Sequence, residues 1–228
     1  DNSHPEPAIK TPSRNEIDDF LTKEKAAVIL RLSKAGEYNV PRSSGVSYRY
    51  GDPRPLPQLN LPLEAFGRVD RLLRNNIPVK MVVEIKNAFT KNLSVSNIFG
   101  EIPGTDPLLR NEIVLIGAHI DSWHGGTGAV DNAAGCIIMM EAMRILKNLG
   151  LKPGRTIRIA LWGGEEQGLI GSRAYVRKYL ADPMTKEHKP GYDSFMVYFN
   201  SDHLTGRFRG IYLQGNEEVR PVFEEWLK

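Results

Sequence analysis

One cysteine in 228 residues, Cys136, excludes an internal disulfide and any cysteine-rich metal site. Its neighbours are apolar, so it reads as a core residue. No apolar run approaches the roughly 18 residues a membrane-spanning helix needs, because the best one, Cys136 to Met140, stops at Glu141. Net charge is small as well: 30 Lys and Arg stand against 27 Asp and Glu, and the resulting +3 is scattered, which argues against a nucleic-acid partner. The chain starts at Asp1 rather than Met, with no signal-like apolar segment, as expected of a processed product or an excised piece. What is present, 41% apolar and 25% charged residues, is sufficient for a real hydrophobic core, and the length favours one domain plus an appendage.

The first forty residues are polar apart from Ala26 to Leu30, which reads as a strand. Arg42 to Pro62 is rich in Pro, Gly and Ser, with Pro53, Pro55 and Pro57 nearly alternating. Proline at that density removes ladder donors and breaks helices, so this stretch is expected to be a connector or an irregular edge segment, with a boundary near residue 62. Beyond it, Phe66, Val69, Leu72 and Leu73 recur at helical spacing and Asn75-Asn76 supplies a stop. Val79 to Ile85 and Val95 to Ile102 read as strands. Ile113 to Ile116, Ile157 to Trp162 and Phe195 to Phe199 are short apolar runs of the kind covered on both faces in a parallel sheet. Between them lie helical patterns. Asn132 to Leu149 carries a broad apolar surface and a Gly150 stop, predicting a largely buried helix, and Leu169 to Leu180 predicts another. Glu217 to Lys228 is expected to be helical, with Val222, Phe223 and Trp226 on one side. The alternation predicts an α/β fold: a mostly parallel, mixed sheet flanked by helices.

In such sheets, functional groups gather at the carboxyl ends of the strands. His119 and Asp121 follow the first apolar strand, Glu165 and Glu166 the second, and Asp202 the third, while Asp131 stands before the buried helix. That many carboxylates on one rim repel unless a cation sits among them, so a divalent metal is expected. His119 and Asp121, two apart in extended chain, leave the same face. One can bind metal while the other fixes the imidazole orientation through its second nitrogen. Glu165 and Glu166 are adjacent and diverge in extended backbone, so one can ligate while the other acts as general base.

Two longer segments sharpen this reading. Ile116-Gly117-Ala118-His119-Ile120-Asp121-Ser122-Trp123, followed by Gly126-Thr127-Gly128-Ala129-Val130-Asp131-Asn132-Ala133-Ala134-Gly135, resembles the first zinc motif of the M28 metallopeptidases. Ala160-Leu161-Trp162-Gly163-Gly164-Glu165-Glu166-Gln167-Gly168-Leu169-Ile170-Gly171-Ser172 resembles their second. Ser122-Trp123 and Arg209 to Asn216 are similar to the plasma glutamate carboxypeptidase branch of that family. The resemblance covers about residue 63 to 228 and implies a zinc-exopeptidase α/β/α sandwich. Residues 1–62 resemble the trailing part of a protease-associated (PA) domain.

The resemblance implies that His119, Asp131 and Asp202 bind one zinc, that Asp131 bridges to a second zinc held also by Glu166, that Asp121 orients His119, and that Glu165 is the general base. It implies a cis peptide between Asp131 and Asn132. It also implies a further zinc-binding His downstream of Asp202, which this sequence does not contain; His188 precedes Asp202, His203 adjoins it, and His124 lies in the Gly-rich loop as a solvated residue. If these 228 residues are the entire molecule, one zinc is therefore expected to bind well and the second weakly or not at all. Ser201 stands where the branch usually has an apolar residue. The expected activity is hydrolysis of dipeptides or other short peptides, poor in this chain alone, with a homo-oligomer or a complementing C-terminal fragment as partner. The alternative is a non-catalytic homologue serving as a binding module. Family habit, with the sequon Asn92-Leu93-Ser94, points to a secreted, lysosomal or periplasmic setting.

Overall fold

The structure is a computed structural model and describes residues 12–33, 54–88, 94–123, 125–202 and 206–228. Residues 1–11 and 34–53, within the stretch expected to be PA-like, Asn92 and Leu93 of the sequon, His124 and His203 lie outside the described residues. In chain order the elements are α1 (Arg14–Lys23), β1 (Ile29–Leu32), β2 (Gln58–Leu61), α2 (Leu63–Arg74), β3 (Ile98–Ile102), β4 (Ile113–His119), α3 (Gly135–Asn148), β5 (Thr156–Trp162), α4 (Ile170–Tyr175), β6 (Phe195–Asn200) and α5 (Arg220–Trp226). They fall into two compact units: Asp1–Asn97, Asp121–Gly128 and Gly163–Arg177 form one, and Ile98–Ile120, Ala129–Trp162 and Lys178–Lys228 the other.

In the first unit, Ser13 starts α1 with a reciprocal cap. Its hydroxyl accepts from Glu16 N at 3.3 Å while the Glu16 carboxylate accepts from Ser13 N at 2.7 Å. Strands β1 and β2 pair in parallel, with Ile29 opposite Gln58. Asp18 of α1, Arg31 of β1 and Gln58 of β2 form one polar cluster, in which Arg31 Nε donates to Gln58 Oε1 at 2.8 Å and pairs with Asp18. Two sequence expectations are revised in this unit. The Pro-rich connector contains a strand at Gln58–Leu61, because its proline-free stretch finds β1 as a partner. Val79 to Ile85 forms no strand, and Val82 is 95% exposed. Valine-rich local preference does not make a strand without a neighbour to take its ladder hydrogen bonds.

The second unit is built on a four-stranded sheet in the order β3-β5-β4-β6. β4 pairs in parallel with both β5 and β6, and only the edge strand β3 runs antiparallel. The mostly parallel, mixed sheet predicted from the apolar runs is therefore what forms, with β3 confined to the second half of Val95 to Ile102. One face of the central strands packs on α3: Ala118, Ile159 and Leu161 are buried against Cys136, with Ile116, Met139 and Met143 around them. These helix residues follow the i, i+3, i+7 spacing of a single stripe. The expectation of a largely buried α3 is corrected here. Ile137, Ile138, Met140, Ile145 and Leu149 are all exposed, and only Gly135 and Cys136 of the helix are buried. The predicted stop holds, since Gly150 takes φ +63°.

The other face of the strands is aromatic. Trp162 of β5 meets Phe99 of β3 edge to face at 5.8 Å and Tyr198 of β6 at 6.1 Å, although β4 lies between β5 and β6. Gly117 of β4 makes this crossing possible: a Cβ there would stand 3.1 Å from the Tyr198 ring and 2.5 Å from the Ala160 carbonyl oxygen. Across the gap Trp162 Nε1 donates to Tyr198 Oη at 2.6 Å, and Tyr198 Oη donates to Asn200 Oδ1 at 2.6 Å. Burial pushes the Tyr198 hydroxyl up to about 12, against a smaller downward effect of the Trp162 hydrogen bond. At the end of the chain, Phe223 of α5 packs edge to face on Phe199 of β6.

Candidate metal centre

Three segments of the second unit end at one place. β4 delivers His119, whose side chain is only 3% exposed. β6 delivers Asp202, and a π-helical turn over Ala129–Ala134, broken by non-helical backbone at Asp131 and Asn132, delivers Asp131. The Asp131-Asn132 peptide is cis, as expected. His119 Nε2 stands 2.9 Å from Asp131 Oδ1 and 3.4 Å from Asp202 Oδ1, and the ligand atoms of the three residues all lie within 4.8 Å of one another. Two carboxylates converging on one buried imidazole are costly alone and favourable around a cation. The donor set also fits the metal. Zinc takes imidazole nitrogen and carboxylate oxygen at roughly 2.0–2.2 Å, which crowds its ligand atoms within about 4 Å of each other.

The backbone around the trio is pinned. Ser201 N donates to Gly117 O at 2.9 Å, extending the β6 ladder to the residue before Asp202, and Ile120 N donates to Trp162 O at 2.8 Å just after His119. Cys136, the buried thiol of the sequence, donates from Sγ to the carbonyl of His119 at 3.1 Å. His188 is elsewhere, stacked on Tyr192 with 3.5 Å between ring centroids. The apolar hollow among Ile102, Leu146, Leu151, Pro153 and Ile157 gathers residues from the opposite ends of β5 and α3 and presents no carboxylate or imidazole.

Asp121, Glu165 and Glu166 meet in the other unit. Asp121 Oδ1 accepts from Glu165 N at 3.0 Å and its Oδ2 accepts from Glu166 N at 3.2 Å, so one carboxylate fixes the backbone of both glutamates. Sequence reasoning gave Asp121 a partner in His119 and did not anticipate this second grip. The glutamate turn has further supports. Gly164 and Gly168 adopt φ of +68° and +105°, and Leu169 N donates to Glu165 O at 2.9 Å. Asn97 stitches its ends, accepting from Gly163 N at 3.1 Å and donating to Gly171 O at 3.0 Å. Asn97 also escapes sequence reading, for an isolated Asn before a strand has no periodic signature.

Comparison with known proteins agrees with this picture. Residues 97–228 match the sequence profile described as Peptidase family M28. Carboxypeptidase Q of Pongo abelii is 30% identical over 200 residues, spanning 88% of this chain and 40% of that protein. The chain thus spans about two fifths of the length of the curated relatives it matches. Among solved structures, a peptidase M28 precursor from Shewanella amazonensis aligns with a TM-score of 0.56 and 27% identity over 78% of this chain and 38% of the other. A zinc aminopeptidase from Bacillus subtilis shares the fold, with a TM-score of 0.58 and 22% identity over 85% and 42%. With the profile matching most of the chain and a histidine and two aspartates converging at the strand ends, this chain belongs to peptidase family M28.

Proposed function

We propose that the chain forms the core of a zinc-dependent exopeptidase acting on dipeptides or other short peptides. The observation that carries the reading is the convergence of His119 Nε2, Asp131 and Asp202 within 4.8 Å beside the carboxyl ends of the parallel strands β4 and β6. In this reading His119, Asp131 and Asp202 would hold one zinc, and Asp131 with Glu166 would serve a second. Bound zinc supplies Lewis acidity, polarising a scissile carbonyl and bringing the pKa of a water toward neutrality. Glu165 takes the proton from the attacking water on a carboxylate oxygen and returns it to the departing amine nitrogen as the peptide C–N bond breaks. Asp121 positions Glu165 and Glu166 through their backbone N–H groups and orients His119.

The same reading places a PA-like segment at residues 1–62 before the peptidase core at 63–228. It places the protein in a secreted, lysosomal or periplasmic compartment, supported by the Asn92-Leu93-Ser94 sequon. No helix among the described residues is long and apolar enough to cross a membrane. The names of the relatives include both a carboxypeptidase and an aminopeptidase.

Zinc titration and dipeptide hydrolysis test the reading in one preparation. Glu165→Gln is expected to lower kcat by about 10²–10⁴-fold, the range of general-base contributions, while zinc affinity stays unchanged. Zinc-dependent cleavage at the original rate in that variant removes Glu165 from the mechanism. A chain that takes up no zinc favours a non-catalytic binding module instead.

A further inference from the structure

We propose that Asn132 is a positioning residue, a side-chain staple that sets the two aspartates of the metal centre against each other; this rests on the zinc-site reading above. Asn132 is 1% exposed and, among the described residues, is one of the two largest fully buried side chains. Its Nδ2 donates to the Ser201 carbonyl at 2.8 Å, and its Oδ1 accepts from Gly135 N at 3.1 Å. Asn132 directly follows Asp131, and Ser201 directly precedes Asp202. One planar amide therefore links the backbone beside one aspartate to the backbone beside the other, and anchors both to the first turn of α3.

The asparagine amide suits this task because it offers a donor and an acceptor on one short rigid group. A residue needed only to cap α3 would use its acceptor toward Gly135 and nothing more. Here the donor end reaches 69 positions along the chain to Ser201. The local packing is built around the link: a Cβ on Gly135 would collide with Asn132 Oδ1 and stand 2.7 Å from the Ser201 carbonyl oxygen. Next along the helix, the Cys136 thiol holds the His119 carbonyl at 3.1 Å, so the start of α3 reaches all three ligand-bearing segments. Groups that fix ligands from behind commonly govern metal affinity as well as geometry.

Two variants separate positioning from folding. Asn132→Ser keeps a short oxygen able to cap Gly135 N but cannot span to Ser201. Gly135→Ala forces the staple apart and leaves its chemistry untouched. Zinc affinity is read by chelator competition on the full chain, and site geometry by the visible absorption of bound cobalt(II). Each variant is expected to bind zinc about 10–100-fold more weakly and to shift the cobalt bands. Ile159→Val, a core change beside Cys136, is expected to lower the melting temperature and alter neither readout. Asn132→Ser, folded by circular dichroism, with unaltered zinc affinity and cobalt spectrum overturns the staple, as does a Gly135→Ala protein that behaves the same way. If the unaltered chain takes up no zinc, the site reading falls and the staple with it. If the unaltered chain binds, His119→Ala does not, and Asn132→Ser binds normally, the staple alone falls.

Discussion

The two sides of α3 carry polar groups under opposite conditions. At its start and in the turn just before it, Cys136 and Asn132 are buried at 7% and 1% exposure, and their hydrogen bonds run to the backbone of His119 and Ser201. On its outer face, Arg144 makes two hydrogen bonds of 2.6 Å to the Glu141 carboxylate, with side chains 59% and 48% exposed. By distance and charge the outer pair is the stronger interaction. By consequence it is the weaker, because water screens it and offers each partner a substitute. A buried amide has no substitute, and losing its partner exposes the full cost of desolvation. The difference shows where this fold invests its specificity, in polar groups that fix backbone at the strand ends.

The largest test of that contrast removes a converging side chain. His119→Ala is expected to lose zinc by more than the roughly 10–100-fold that changes behind the ligands produce, and peptide hydrolysis should vanish with it. Isothermal titration with zinc reads the first effect. Retained tight binding would mean that Asp131 and Asp202 do not depend on the imidazole, and the buried rim would then be no more special than the helix surface.

The rim residues were open to sequence reading because each stands just after an apolar run or just before a helix: His119 after Ile113 to Ala118, Asp202 after Phe195 to Asn200, Asp131 before α3. Order along strands is a one-dimensional property, and the parallel register of β4 with β5 and β6 brings it into one place. What holds the rim together is not one-dimensional. Asn132 acts through a residue far along the chain, and Tyr198 reaches Trp162 across an intervening strand. The broad apolar surface of α3 misleads for a related reason. Composition counts apolar residues, whereas only the stripe of Cys136, Met139 and Met143 packs into the buried cluster on the sheet. Val79 to Ile85 misleads because strand preference is realised only beside a partner.

Gly117 offers an intermediate test, since the missing side chain leaves the space for the aromatic crossing. Gly117→Ala places a methyl against the Ala160 carbonyl and the Tyr198 ring, and overpacking of that kind costs about 1–3 kcal/mol. Urea denaturation is expected to show that loss, and the near-ultraviolet circular dichroism of Trp162 should change as its bond to Tyr198 opens. An unchanged midpoint with an unchanged aromatic spectrum would show that the strands yield without cost, contrary to the close crossing at β4.

The smallest effect is predicted for Arg144→Ala on the outer face. Its hydrogen bond to Glu141 holds that carboxyl below the usual carboxylate range. A carboxyl lowered on folding stabilises the folded state above its unfolded pKa, and the contribution disappears as pH falls through the folded value. The pair is open to solvent, so the difference in melting temperature between the variant and the unaltered chain should be close to the error of measurement at pH 7. It should vanish altogether once the pH has fallen below the carboxyl's lowered folded-state value. A sizeable loss at pH 7 that disappears in acid would place real stability in the surface pair. The contrast between the two sides of α3 would then be one of ligand geometry rather than of burial.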